Sequence, residues 1–247
     1  MVKIFGSSNK KTIFFIFIVL MIAFVINNIG INQLSEKSKE EKEEDMSRGG
    51  FNNNNNNNNY RPNYFLGLQI TEPTITDQLS QAQKHIANTV PLIRRDVTAA
   101  EKFHLTVFVM TLTDVQVQLP LVKSLLQQAK LISNEIFGEN TPSSTIKGIG
   151  SFNDRVLWSG LKDDENSARL TEFQSRLVKL FEENNINIDK RWNPHITLAK
   201  GRGGQHFVDA FNDTEFGLQK FQSLQLLRIG SSDPITKYYK IEESYAL

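Results

Sequence analysis

The sequence predicts an α+β fold in which antiparallel sheets carry helices on one face and leave the other face open. Three observations lead there. Segments of strand and helix periodicity alternate through residues 60–247. The stretch GSFND, residues 150–154, has the turn chemistry of a hairpin between two short apolar runs. The chain closes on two consecutive strand-like segments rather than on a helix.

NYFLGLQI, residues 63–70, has the content of a buried strand, and Pro62 marks its start. Thr76 and Asp77 offer caps for a helix whose apolar positions Leu79, Ala82, Ile86 and Val90 follow helical spacing up to Pro91. Residues 103–112 form the next strand. A longer amphipathic helix covers 119–136, with Pro120 in its first turn and Gly138 just past its end. Residues 144–149 and 155–161 are the two strands that GSFND joins. Residues 166–181 form a helix with Leu170, Phe173, Leu177 and Leu180 on one stripe. Residues 192–199, 221–229 and 235–241 are the closing strands.

The first 59 residues have a different character. Residues 1–11 are basic, with Lys3, Lys10 and Lys11, and an uninterrupted apolar run fills residues 13–26. Extended to residues 12–31, it suits either a single-pass N-terminal membrane anchor, which needs about 20 residues, or a cleaved secretory signal. Residues 32–59 join a mixed charge run, EKSKEEKEED, to eight consecutive asparagines. Such a segment buries too little surface to offset chain entropy and reads as a disordered linker.

Of the 28 lysines and arginines and 27 acids, seven and six fall in residues 1–59, which leaves residues 60–247 with 21 of each. A domain of balanced charge is not built to hold duplex DNA, because that binding needs a basic surface. The absence of cysteine removes disulfides, thiolate metal sites and cysteine nucleophiles together. No carboxylate cluster or HExxH pattern suggests a metal site, and no cofactor is implied.

The chemistry concentrates in a repeated pattern. His104-Leu105-Thr106-Val107 and His195-Ile196-Thr197-Leu198 lie 91 residues apart, each within a predicted strand. Side chains alternate across a strand, so His104 and Thr106 share a face, as do His195 and Thr197. A lone histidine in an apolar strand is most often a satisfied core residue; two copies of one pattern suggest two lobes contributing one motif each. In-line displacement at phosphorus needs a base at the attacking oxygen and an acid at the leaving oxygen. Two imidazoles titrating near neutrality can fill both roles. The threonine hydroxyls, about 6.5–7 Å further along each strand, suit the non-bridging oxygens.

These motifs resemble those of the 2H phosphoesterase superfamily, which includes LigT-like proteins. NYFLGLQI, KFHLTVFVMTL, STIKGIGSFNDRVLWSGL and NPHITLAKGR are most similar to the phosphoesterase-like domain of A-kinase anchoring proteins. The resemblance covers residues 62–243. It implies a bilobal fold with two antiparallel sheets around a central cleft and helices on the outer faces. It also implies catalysis by His104 and His195, phosphate binding by Thr106 and Thr197, and no metal. The implied substrate is a small nucleotide or RNA end with a 2′,5′-linked or 2′,3′-cyclic phosphate, acted on by a monomeric catalytic domain. Two alternatives stay open: a silent nucleotide-binding module, and an interaction module held at a membrane through residues 12–31.

Other residues carry weaker expectations. Trp192 suits stacking on a base or packing at a lobe edge. Lys200 and Arg202 follow the second motif and suit phosphate or solvent; simple alternation turns Lys200 away from His195.

Overall fold

The computed structural model describes residues 61–93 and 96–247. The readings of residues 1–11, 12–31 and 32–59 as basic segment, anchor or signal, and linker lie outside the described residues. Among the described residues, no helix is long and apolar enough to cross a membrane.

The described chain runs β1 (Tyr64–Gln69), α1 (Pro73–Thr89), β2 (Asp96–Val97), β3 (His104–Thr111), α2 (Val115–Phe137), β4 (Ser143–Phe152), β5 (Val156–Leu161), α3 (Glu165–Glu183), β6 (Asn187–Asp189), β7 (Ile196–Lys200), α4 (Val208–Phe211), β8 (Glu215–Lys220), β9 (Ser223–Ser232) and β10 (Tyr239–Ala246). These strands form two five-stranded sheets, ordered β10-β9-β1-β3-β6 and β2-β7-β5-β4-β8. Every pairing is antiparallel. The α+β class and the pair of antiparallel sheets are as the sequence predicts. Each histidine strand, β3 or β7, stands second from one edge of its sheet.

The main core cluster includes helix-facing residues of both sheets. From the first sheet come Leu66, Leu68, Leu105 and Leu226; from the second come Ile146, Leu157, Ile196 and Leu198. Leu79 and Ile86 of α1, Leu126 of α2 and Leu177 of α3 join them. Burying an aliphatic or Phe side chain of this kind stabilises by roughly 1.5–3 kcal/mol.

Local chemistry sets the element ends and corrects several expectations. Helix α1 begins at Pro73 after Glu72, not at Thr76 or Asp77. Proline suits a first helical turn because its missing N–H would be unpaired there anyway, and Thr76 instead donates its hydroxyl to the Pro73 carbonyl at 2.8 Å. Helix α2 begins earlier than expected because Asp114 caps it, which puts Pro120 inside the helix rather than in its first turn. Helix α3 opens on a reciprocal cap between Asp164 and Ser167. The predicted hairpin forms: Asn153 and Asp154 adopt φ of 52° and 53°, and Arg155 N–H closes the turn onto the Phe152 carbonyl at 2.9 Å. Positive φ at both central residues matches the twist of the flanking strands.

The last predicted strand, 235–241, is displaced to Tyr239–Ala246. Asp233 accepts from the Ile235 and Thr236 N–H groups and holds that stretch as a turn. The second motif also differs: β7 starts at Ile196, so residues 192–195 approach it outside the ladder. Pro194 has no N–H to give a neighbouring strand.

Candidate active site

Both histidines are anchored in the same way. The His104 Nδ1–H donates to the Lys102 carbonyl at 2.7 Å, and the His195 Nδ1–H donates to the Asn193 carbonyl, also at 2.7 Å. A carbonyl can only accept, so each ring carries a proton on Nδ1, and Nε2 is the acceptor when the ring is neutral. The Thr106 hydroxyl lies 3.2 Å from His104 Nε2 and donates to it.

The two rings have different surroundings. Burial pushes His104 down to about 4; the Lys102 carbonyl works against that fall, and the charge of His195 adds to it. Its cover is aromatic: Phe65 and Tyr239 have centroids 5.0 and 5.2 Å from the His104 ring. The histidine face of the first sheet is therefore not the open surface that alternation suggested. Phe65, Leu227 and Tyr238 form a small buried cluster there, with Val109 and Tyr239 packed against it. The Lys102 ammonium lies 5.4 Å from the Tyr239 ring centroid, within cation–π range.

His195 has its own aromatic neighbours. Phe152 meets it edge-on at 5.0 Å and stacks on Trp158 at 5.0 Å. Trp158 pairs with Thr197 across β5 and β7, so both side chains share the histidine face. The indole lies over Gly150, where a Cβ would come within 2.2 Å of the ring.

Each motif strand carries a β-bulge just past its threonine. In β3, Thr106 and Phe108 oppose the adjacent residues Gly67 and Leu66, which leaves Val107 as the extra residue. In β7, Thr197 and Ala199 oppose the adjacent residues Trp158 and Leu157, and Leu198 is extra. Two consecutive side chains are therefore buried, and alternation reverses. The reversal corrects the expectation for Lys200: with its partner Val156, it lies on the face of Thr197 and Trp158, exposed.

The other weak candidates have contacts of their own. Trp192 packs against the core, and its Nε1–H donates to Thr171 of α3 at 2.9 Å. Arg202 is exposed in the glycine-rich turn after β7. That turn is tied by Asp154, whose carboxylate accepts from the Gly203 and Gln205 N–H groups. These donors, Gln205 foremost, hold the Asp154 carboxyl below its usual range. Among the described residues, no cluster of His, Asp or Glu has the makings of a metal site.

Sequence reasoning missed Phe65, Phe152, Trp158 and Tyr239. The aromatic residues look like ordinary strand content.

Residues 62–247 match the family model described as the AKAP7 2'5' RNA ligase-like domain. The human A-kinase anchor protein 7 isoform gamma is 25% identical over 143 residues, covering 57% of this chain and 41% of the human protein. The chain thus spans less than half the length of that relative. Among solved structures, E. coli LigT complexed with 3'-AMP aligns over 75% of this chain and 97% of its own, with a TM-score of 0.51 and 16% identity. At that identity, the likeness is one of fold.

Proposed function

Because the chain belongs to the AKAP7 2'5' RNA ligase-like domain family of the 2H phosphoesterases, we propose that it hydrolyses a 2′,5′-linked or 2′,3′-cyclic phosphate of a small nucleotide or RNA end without a metal. The observation that carries this reading is the matched pair of imidazoles, each with Nδ1 pinned to a carbonyl, with the charge of His195 felt at His104. LigT complexed with 3'-AMP is a fold relative that takes a nucleotide.

In the reaction we propose, His104 enters neutral and takes a proton from water at Nε2 as the water oxygen bonds to phosphorus. The bond from phosphorus to the leaving sugar oxygen breaks on the opposite side, and His195, entering as the imidazolium, delivers its Nε2 proton to that oxygen. Exchange with solvent returns both rings to their starting states. Thr106 and Thr197 steady the non-bridging oxygens, and Lys200, on the same face as Thr197, adds positive charge beside them. Trp192 and Arg202 have no part in these steps.

Full-length protein in detergent should cleave 2′,3′-cyclic nucleotides or 2′,5′-linked dinucleotides in the presence of EDTA. His104→Ala and His195→Ala should each lower turnover at least about a hundredfold, the smaller end of what general acid–base catalysis supplies, with unchanged circular dichroism. Full activity in either variant overturns the assignment.

The aromatic cover over His104 favours a second reading, nucleotide binding without turnover, since a ring titrating at about 4 is a weak base. Calorimetric binding of a nucleoside monophosphate, with no product from any of these substrates, would select it. For the chain as a whole, we propose that residues 12–31 hold the domain at a membrane, with secretion after cleavage as the alternative. Protease protection on isolated membranes separates the two.

A further inference from the structure

The described domain buries four glutamines: Gln83, Gln174, Gln219 and Gln225. Three of them spend their amides on the main chain. Gln83 donates to the Thr98 and Leu198 carbonyls. Gln174 reaches the Val107 and Lys190 carbonyls. Gln219 accepts from the Thr71 and Glu72 N–H groups and donates to the Lys220 carbonyl. Gln225 is the exception. It is 7% exposed, and its Oε1 has no hydrogen-bond partner among the described residues.

Strand register puts this amide on the histidine face. Gln225 of β9 pairs with Gly67 of β1, and Gly67 pairs with Thr106 of β3. On the far side, Gln225 pairs with Ser244 of β10. The flanking residues Leu224 and Leu226 belong to the helix-facing core, whereas Leu227 belongs to the small cluster with Phe65 on the histidine face. Gln225 alternates with the former and shares the face of the latter. Two strand spacings, about 9.6 Å, separate it from Thr106, and the residue between them is a glycine. A buried carbonyl oxygen without a donor is costly, and a strand facing aliphatic neighbours would be better served there by leucine.

We propose that Gln225 is a substrate-contacting specificity residue whose side-chain carbonyl accepts a hydrogen bond from an N–H or O–H donor on the nucleoside part of the ligand. The inference rests on the nucleotide reading of the site. The donor is a base amino group or a sugar hydroxyl. From a phosphate held at Thr106, a nucleoside lying along the Thr106–Gly67–Gln225 row brings either one towards the amide.

The test measures binding to the full-length protein by calorimetry for inorganic phosphate, adenosine 3′-monophosphate, and the 3′-monophosphates of purine riboside and of 5′-deoxyadenosine. Gln225→Leu should weaken adenosine 3′-monophosphate about tenfold, leave inorganic phosphate unchanged, and leave the melting temperature equal or higher. A purely structural glutamine would instead lower the melting temperature and weaken both ligands together. The probe that already binds the unmodified protein about tenfold less tightly, and is indifferent to Gln225→Leu, identifies the missing donor. Adenosine 3′-monophosphate bound equally by both proteins overturns the role of Gln225 and spares the nucleotide reading. Failure of every nucleotide to bind the unmodified protein overturns the nucleotide reading, and this inference with it.

Discussion

Val109 and Lys200 stand at equivalent stations on two different sheets, five residues beyond His104 and His195, and the bulge before each turns it onto its histidine's face. One sheet thus presents an apolar side chain where the other presents a cation. The two halves repeat the same backbone device with different chemistry, and their histidines are correspondingly unlike.

The difference should appear in the pH profile. His104 acts as base only while neutral, so the acid limb of kcat/KM should fall at about 4, where burial places the ring. Tyr239→Ala removes part of that cover and lets the ring climb towards its ordinary 6.5. The variant should lose activity between pH 6.5 and 4, where the parent keeps it. Coincident limbs in rate measurements from pH 3.5 to 8 would show that the cover does not set the titration.

The same shift makes a statement about stability. His104 binds its proton less well folded than unfolded, so its contribution is complete above about 6.5. It is lost as pH falls from there towards 4, because the unfolded chain takes up a proton that the fold refuses. Between pH 7.5 and 4.5, the parent should lose about 2–3 kcal/mol more than His104→Asn. Urea titrations of both proteins at the two pH values measure the difference.

Gly150→Ala places a methyl group where the Trp158 indole lies. The ring must swing off the sheet and disturb its stack on Phe152, and overpacking of this kind costs about 1–3 kcal/mol. In a Trp192→Phe background, which leaves Trp158 as the one indole of the chain, its emission should shift to the red and the melting temperature should fall. An unchanged spectrum would mean that the indole does not rest there.

Lys200→Ala should raise KM several-fold with little change in kcat, and should flatten the dependence of KM on salt, because an exposed cation acts through a screened field. Lys200→Arg should restore most of the loss. Equal KM values in parent and Lys200→Ala at low salt would remove the lysine from the site.

The helices and the longer strands were legible because their apolar periods are strong, and the doubled His-x-Thr pattern marked both halves of the candidate site. Several features escaped for physical reasons. β2, β6 and β8 are strands through pairing rather than content, since Asp96–Val97 and Asn187–Asp189 contain little that asks for a sheet. The bulges at Val107 and Leu198 exist only relative to Gly67 and Trp158 in partner strands, so counting along one strand misplaced Lys200. The cover over His104 is assembled from Phe65 and Tyr239, at opposite ends of the domain.

The anchoring of the two imidazoles has a consequence for mutational tolerance. Main-chain oxygens at positions 102 and 193 orient the rings, so the tautomer is indifferent to which side chains those positions carry. Saturating either codon should leave the proton on the same nitrogen in nearly every case. The fragility is displaced to changes that re-route the backbone, such as a residue inserted between anchor and ring.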